Sequence, residues 1–209
     1  MPSRSNRDLA LYGGLNPGTQ YCFEHGSGEH WGVHNGQFEV GPSGQDESDP
    51  PEGWQYTAIS AGGTFLRTTG GYAGNWCARG GRAGVGDGVS LFSQKYMPVS
   101  TAYNYYYQVA ACQTNNGTLR VGVICYSAAK ASLGNVWQAA AFIPATAYPT
   151  WTLYNYVFGP AGTALAANTR YVRLYLCLQA NAALAGAYTY VDDVKFQQIP
   201  AWLWGMLPQ

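Results

Sequence analysis

Charge is the scarcest commodity in this chain. Of 209 residues, 11 are Lys or Arg and 11 are Asp or Glu, so charged residues make up 11% and the formal net charge is zero. Soluble domains usually carry about 25% charged residues. With no net charge there is no global field to draw in nucleic acid or an anionic membrane. Long apolar runs are also missing, and none approaches the ~20 residues of a membrane span. The opening MPSRSNRDLALYGG has basic residues but no apolar stretch behind them, so it reads as a chain made in the cytoplasm without a signal peptide. The five cysteines are odd in number and irregularly spaced. They give no disulfide framework, and Cys112, Cys125 and Cys177 sit inside strand-like runs where a thiol acts as a small hydrophobe. Helical periodicity is nearly absent; AGTALAAN (161–168) is a poor candidate because of its Gly and Thr.

What the chain has in quantity is glycine (27), tyrosine (17) and tryptophan (7), a mixture suited to short strands, tight turns and broad contact surfaces. Strand-like runs recur: QFEV (37–40), WQYTAIS, TFLRTT, VSLFSQKYMPV, VWQAAAFI, WTLYNYVF, RYVRLYLCLQA and AYTYVDDVKF. NYYYQVAACQTNNGTLRVGVICY (104–126) reads as a hairpin around Asn116-Gly117, a pair favoured in type I′ turns. In RYVRLYLCLQ, Val172, Leu174, Leu176 and Leu178 share one face, while Tyr171, Arg173, Tyr175 and Gln179 share the other. That is a half-buried strand. Strands at this spacing predict an all-β, two-sheet antiparallel jelly-roll sandwich over 35–198, flanked by an N-terminal arm (1–34) and an apolar C-terminal tail (199–209).

Chemistry-bearing motifs are few. RGGRAGVGDG (79–88) lacks the Lys-Ser/Thr of a phosphate-binding loop and reads as a long connection between strands. GPSG (41–44) is not a serine nucleophile turn. All three histidines fall in CFEHGSGEHWGVH, where Cys22, His25, His30 and His34 have spacing reminiscent of zinc ligands; a solvated or interface loop is the other reading. The two aspartates of YVDDVKF cannot share a proton, because alternation puts them on opposite faces. Asp192 is expected on the face of Val194 and Phe196, with Asp193 in water beside Lys195.

The landmarks NGQFEV, PEGW, GGTFLRT, VSLFSQKYMPVSTAYNYYYQV, WTLYNYVF, TRYVRLYL and YVDDVKF, in that order over about 35–198, resemble the galactose-binding-like jelly-roll superfamily. The similarity is to carbohydrate-binding modules of families four, nine and twenty-two and to related phage virion surface domains. The resemblance implies a structural Ca²⁺ held by Glu39 and Asp192. The residues alone leave a second option, in which Asp192 simply accepts backbone N–H bonds. Aromatic faces that stack on sugar rings, with polar side chains beside them, make Tyr106, Gln108, Arg173 and Tyr175 on one sheet face, and Tyr72, Trp76 and Trp137 from loops, the glycan-binding candidates.

The tail IPAWLWGMLPQ crowds Trp202, Leu203, Trp204, Met206 and Leu207 where Pro200 and Pro208 prevent a helix. Burying each large side chain is worth ~1.5–3 kcal/mol, so these residues are expected to make assembly contacts. Taken together, the sequence reads as a non-enzymatic structural or adhesive protein of a large homo-oligomeric assembly. The favoured setting is a phage virion, as a capsid decoration or tail component contacting other subunits and cell-surface glycan. The alternative is a glycan-binding module.

Overall fold

The computed structural model describes residues 29–30, 33–41, 50–59, 63–82, 87–138, 141–180 and 186–199. Among them are thirteen strands: β1 Glu29–His30, β2 Val33–His34, β3 Trp54–Ala58, β4 Thr64–Thr69, β5 Trp76–Arg82, β6 Gly88–Ser93, β7 Met97–Pro98, β8 Asn104–Thr114, β9 Gly117–Tyr126, β10 Ser132–Trp137, β11 Thr152–Phe158, β12 Tyr171–Ala180 and β13 Ala187–Ile199. Two antiparallel sheets carry the fold. The first runs β10-β9-β12-β6-β3, with β7 also paired to β12; the second runs β11-β8-β13-β5-β4. β1 and β2 form a separate ribbon.

Period-two alternation builds the core between the sheets. Val172, Leu174, Leu176 and Leu178 of β12 and Leu119, Val121 and Val123 of β9 point inward, toward Tyr105, Tyr107 and Val109 of β8 and Val191, Val194 and Phe196 of β13. The inward and outward sets of β12 are those its sequence pattern requires. Val33 is also buried in this core.

Four details depart from the sequence reading. QFEV is not a strand: Phe38 takes φ +53° and turns its ring onto Trp54, 5.2 Å away. RGGRAG is not wholly a loop, because β5 continues through Arg82. The segment 104–126 is not a hairpin. β8 pairs with β11 and β13, whereas β9 pairs with β10 and β12, so the turn carries the chain from one sheet to the other. Its centre is Asn115-Asn116, at φ +48° and +64°, one residue earlier than expected. Gly117 follows because a Cβ there would stand 2.1 Å from the Tyr188 carbonyl oxygen.

The last departure concerns the aspartate pair. Asp192 pairs with Ala110 but Lys195 pairs with Gln108, so β13 holds one extra residue, a β-bulge. Asp193 sits there at φ +47°, a conformation Asp tolerates better than most residues. The bulge resets the alternation. Asp192 therefore lies outside with Tyr190, and Val194 and Phe196 still reach the core, contrary to the shared face expected for all three.

Candidate functional site

The outer face of the first sheet is built from the residues that alternation leaves pointing away from the core. Gly122 of β9 lies opposite Trp137 of β10 on one side and Tyr175 of β12 on the other. A Cβ at Gly122 would come within 2.7 Å of the Trp137 ring, so glycine is what lets the indole lie down across the sheet. The ring reaches Tyr175 at 4.3 Å between centroids, and Phe92 of β6 stacks on the far side of Tyr175 at 4.6 Å. A platform of three aromatic rings thus crosses β10, β9, β12 and β6.

Polar groups frame the platform. Tyr175 Oη bonds Ser90 Oγ at 2.8 Å. Burial pushes the Tyr175 phenol pKa up, with the Ser90 bond and Arg120 working against that rise. Arg173 donates from Nε to the Ser93 carbonyl and from Nη2 to Gln55 Oε1 at 2.6 Å, which holds its guanidinium beside Phe92 and Tyr96. Arg120 lies over the Trp137 ring, 4.2 Å from its centre. Beyond Arg173, Tyr96 packs edge-on to Tyr126 at 4.8 Å, and Lys130 sits over Tyr96. Beside Arg173 a groove of about 690 Å³ is lined by Pro50, Gln55, Thr57, Phe92 and Ile124. That volume lies within the ~300–1,000 Å³ range of ligand clefts.

The structure therefore brings together Arg173, Tyr175 and Trp137 and separates them from the other candidates. Tyr106 and Gln108 belong to β8 on the opposite sheet, where the single Tyr106 hydroxyl proton lies between Gln108 Oε1, at 3.0 Å, and Asn155 Oδ1. Tyr106 and Arg173 look alike in sequence, each at an outward position of a long strand; only the assignment of strands to sheets tells them apart. Trp76 lies on β5 of that second sheet, under Arg67 at 3.9 Å, and Tyr72 packs near Trp151. Phe92, Gln55 and Arg120 were not singled out from sequence. Their signal was present in the outward positions of GVSLFS, WQYTA and GTLRVGVICY, but it needed the strand order to become a cluster.

The second sheet treats its outer face differently. Asp192, fully buried, accepts at Oδ2 from the N–H groups of Tyr72 (2.6 Å) and Ala73 (2.9 Å) and at Oδ1 from Asp193 N–H (2.7 Å). Glu39 Oε1 accepts from Asn75 N–H (2.8 Å) and Trp76 N–H (2.9 Å). Both carboxylates named for Ca²⁺ thus close on one loop, 70–76. Burial raises the Asp192 pKa to about 7 against the opposing pull of those N–H groups. Asp192 Oδ1 and Oδ2 and Glu39 Oε1 thus each accept backbone N–H groups, and a Ca²⁺ at this pair would need most of its six to eight oxygens from elsewhere. Among the described residues no group of three or more His, Cys, Asp and Glu side chains is placed to hold a metal.

Asp193 is buried as well rather than hydrated, taking Gln108 Nε2 at 2.8 Å and Lys195 Nζ at 2.7 Å on Oδ2. His34 bonds Glu52 at 3.0 Å. Cys22, His25 and the tail residues Trp202, Leu203, Trp204, Met206 and Leu207 lie outside the described residues, and the same holds for the side chain of His30.

No protein-family model matches the chain, and no curated protein sequence matches it. Solved structures do match. An arabinose-bound GH51 α-L-arabinofuranosidase aligns with TM-score 0.52 and 16% identity, covering 86% of this chain but only 28% of that one. The CBM22-1 xylan-binding domain of Paenibacillus barcinonensis Xyn10C aligns with TM-score 0.48 and 16% identity over 79% of this chain and 92% of that one. A tailspike protein of bacteriophage CBA120 aligns with TM-score 0.48 and 10% identity over 71% of this chain and 20% of that one. The fold is an all-β sandwich of two antiparallel sheets.

Proposed function

We propose that this chain is a non-enzymatic glycan-binding domain, and that the outer face of β10-β9-β12-β6-β3 is its binding surface. The observation that carries this reading is the platform of Trp137, Tyr175 and Phe92, bordered by Arg173, Gln55 and Thr57 along an open groove. Aromatic faces offer apolar area to the C–H faces of sugar rings, and the guanidinium and amide fix orientation through hydrogen bonds. The fold is compatible with this role but does not assign it, since one jelly roll hosts many functions.

The test is affinity electrophoresis and calorimetry against a panel of soluble polysaccharides. Tyr175→Ala and Trp137→Ala should each weaken binding by about tenfold or more, the order expected for a central aromatic anchor, with the fold retained by circular dichroism. A wild-type protein that binds none of the panel, or variants that bind as well as wild type, would overturn the assignment.

A further inference from the structure

A second cleft opens on the other sheet, at the turn that joins β4 to β5. It has a volume of about 440 Å³ and is lined by Thr69, Gly70, Gly74, Asn75 and Trp76. Register sets Thr69 directly opposite Trp76. Thr69 and Asn75 are exposed and Trp76 is half-buried, so a ligand can reach all three.

The polar side chains of this cleft are unspent. Thr69 and Asn75 hydrogen-bond only through their backbones, and the Trp76 indole N–H donates to no described residue. The charges nearby are consumed. Arg67 lies against the Trp76 ring, 3.9 Å from its centre. Its Nε donates to the Phe38 carbonyl (2.6 Å), Nη1 to that of Gly41 (3.3 Å) and Nη2 to that of Glu39, and the Glu39 carboxylate opposes its charge. Among the described residues no charged side chain lines the cleft.

The turn is also fixed before any ligand arrives. Asp192 and Glu39 together accept four of its N–H groups, those of Tyr72, Ala73, Asn75 and Trp76, and Gly70 N–H closes on the Asn75 carbonyl at 2.9 Å. Gly74 permits the closure, because a Cβ there would stand 2.2 Å from Glu39 Oε1. A preformed site spares its ligand the ordering cost that weakens binding to a flexible loop.

We propose that this turn is a second binding site, and that it takes a neutral sugar unit. The indole offers apolar area to the C–H groups of a sugar ring, while the Thr69 hydroxyl, the Asn75 amide and the indole N–H meet its hydroxyls. An anionic ligand would find no unengaged cation among the lining residues, and a cationic one no carboxylate. The volume suits a ligand cleft, for which ~300–1,000 Å³ is usual. The platform lies on the outer face of the other sheet, so the two sites are separate and one chain can hold two glycans.

The experiment follows the tryptophan indole N–H resonances of the nitrogen-labelled full chain. Methyl glycosides and tetraoses of xylose, glucose, galactose, mannose and arabinose are added, and Trp76→Phe and Trp137→Phe assign the two signals. At least one neutral sugar should shift the Trp76 signal saturably, in wild type and equally in Tyr175→Ala, which lacks the centre of the platform. Asn75→Ala, whose side chain holds nothing in the fold, should weaken that titration about threefold to tenfold, the range for one hydrogen bond. It should leave the Trp137 response unchanged. Should Asn75→Ala disturb the turn, Thr69→Val takes its place. Galacturonic acid and glucosamine counterparts should bind no tighter, and tighter binding of either overturns the neutral class. A Trp76 signal that no sugar moves, or that moves only when Tyr175 is present, overturns the second site; a Trp137 response in the same titration leaves the platform reading standing. A Trp76 response without one at Trp137 does the reverse. Silence at both overturns both.

Discussion

The two sheets of this sandwich face outward with similar side chains and put them to different uses. Both outer faces are rich in tyrosine, tryptophan and arginine. On the second sheet the chain folds back: Tyr148 stacks on Tyr190 at 4.5 Å, and Tyr148, Trp151 and Tyr188 pack against Cys77, Cys112 and Tyr190 as a second small core. Loop 70–76 then seals Asp192. On the first sheet no described loop covers Tyr175, Phe92 or Trp137, and a groove remains. Alternation decides which residues point out. The connections decide whether outward residues become a second core or a surface.

The largest effect should follow from breaking the sealed face. Asp192→Ala leaves three N–H donors without their acceptor and should cost about 3 kcal/mol, read by denaturant unfolding. Its pH dependence has a definite sign. Burial raises the folded pKa to about 7, above the unfolded value of ~3.9. Between these values the folded protein retains a proton that the unfolded chain has lost. The stabilisation is therefore complete below about pH 4 and falls away as pH rises toward 7; Asp192→Asn should flatten that slope. If Ca²⁺ binds at Glu39 and Asp192, it favours the ionised carboxylate, so added Ca²⁺ should raise the melting temperature near pH 7 and flatten the slope too. A chelator without effect on wild type would argue for N–H groups alone.

These carboxylates also show where sequence was readable. The all-β sandwich followed from turn residues and alternating runs, and β12 could be assigned face by face, because period-two patterning is local. The bulge at Asp193 was not legible: one inserted residue reverses every later face, and nothing in YVDDVKF marks it except a residue type tolerant of positive φ. Sheet membership was equally hidden. NNG looks like a hairpin turn in either case, and only long-range pairing sends β8 and β9 to different sheets. The candidate cluster was therefore half visible: Arg173 and Tyr175 do share one outer face, Trp137, expected in a loop, joins them from β10, and Tyr106 and Gln108 lie on the other sheet.

Asp193→Ala should come next, at about 2 kcal/mol. It removes the carboxylate that Gln108 and Lys195 bond, and it removes a residue suited to φ +47°. Asp193→Asn should cost less, since Asn accepts the same backbone conformation. Equal costs for the two would mean that the ion pair, not the bulge geometry, dominates. Tyr148→Ala should cost about 1–2 kcal/mol through lost aromatic packing. Its sharper readout is thiol labelling. Burial now raises the Cys112 pKa to about 12 and the Cys77 pKa further, which keeps both thiols unreactive, and opening the Tyr148 cover should speed their modification. Unchanged labelling would show that Trp151 and Tyr188 seal the cluster alone.

The smallest effect should fall on the open face, and it separates the ring from its hydroxyl. Tyr175→Phe keeps the surface on which Trp137 and Phe92 rest and removes only the bond to Ser90, so it should cost under about 1 kcal/mol. Binding should persist within about threefold, because the stacking area is intact. Tyr175→Ala should also lower stability only modestly, since the side chain lies outside the core, yet it should abolish binding. The contrast with Asp192 is then complete: truncation to Ala there is costly because the group is sealed, and the same truncation at Tyr175 is structurally mild because the face is open. A Tyr175→Phe variant that lost binding as fully as Tyr175→Ala would move recognition from the ring to the Ser90–Tyr175 hydroxyl pair.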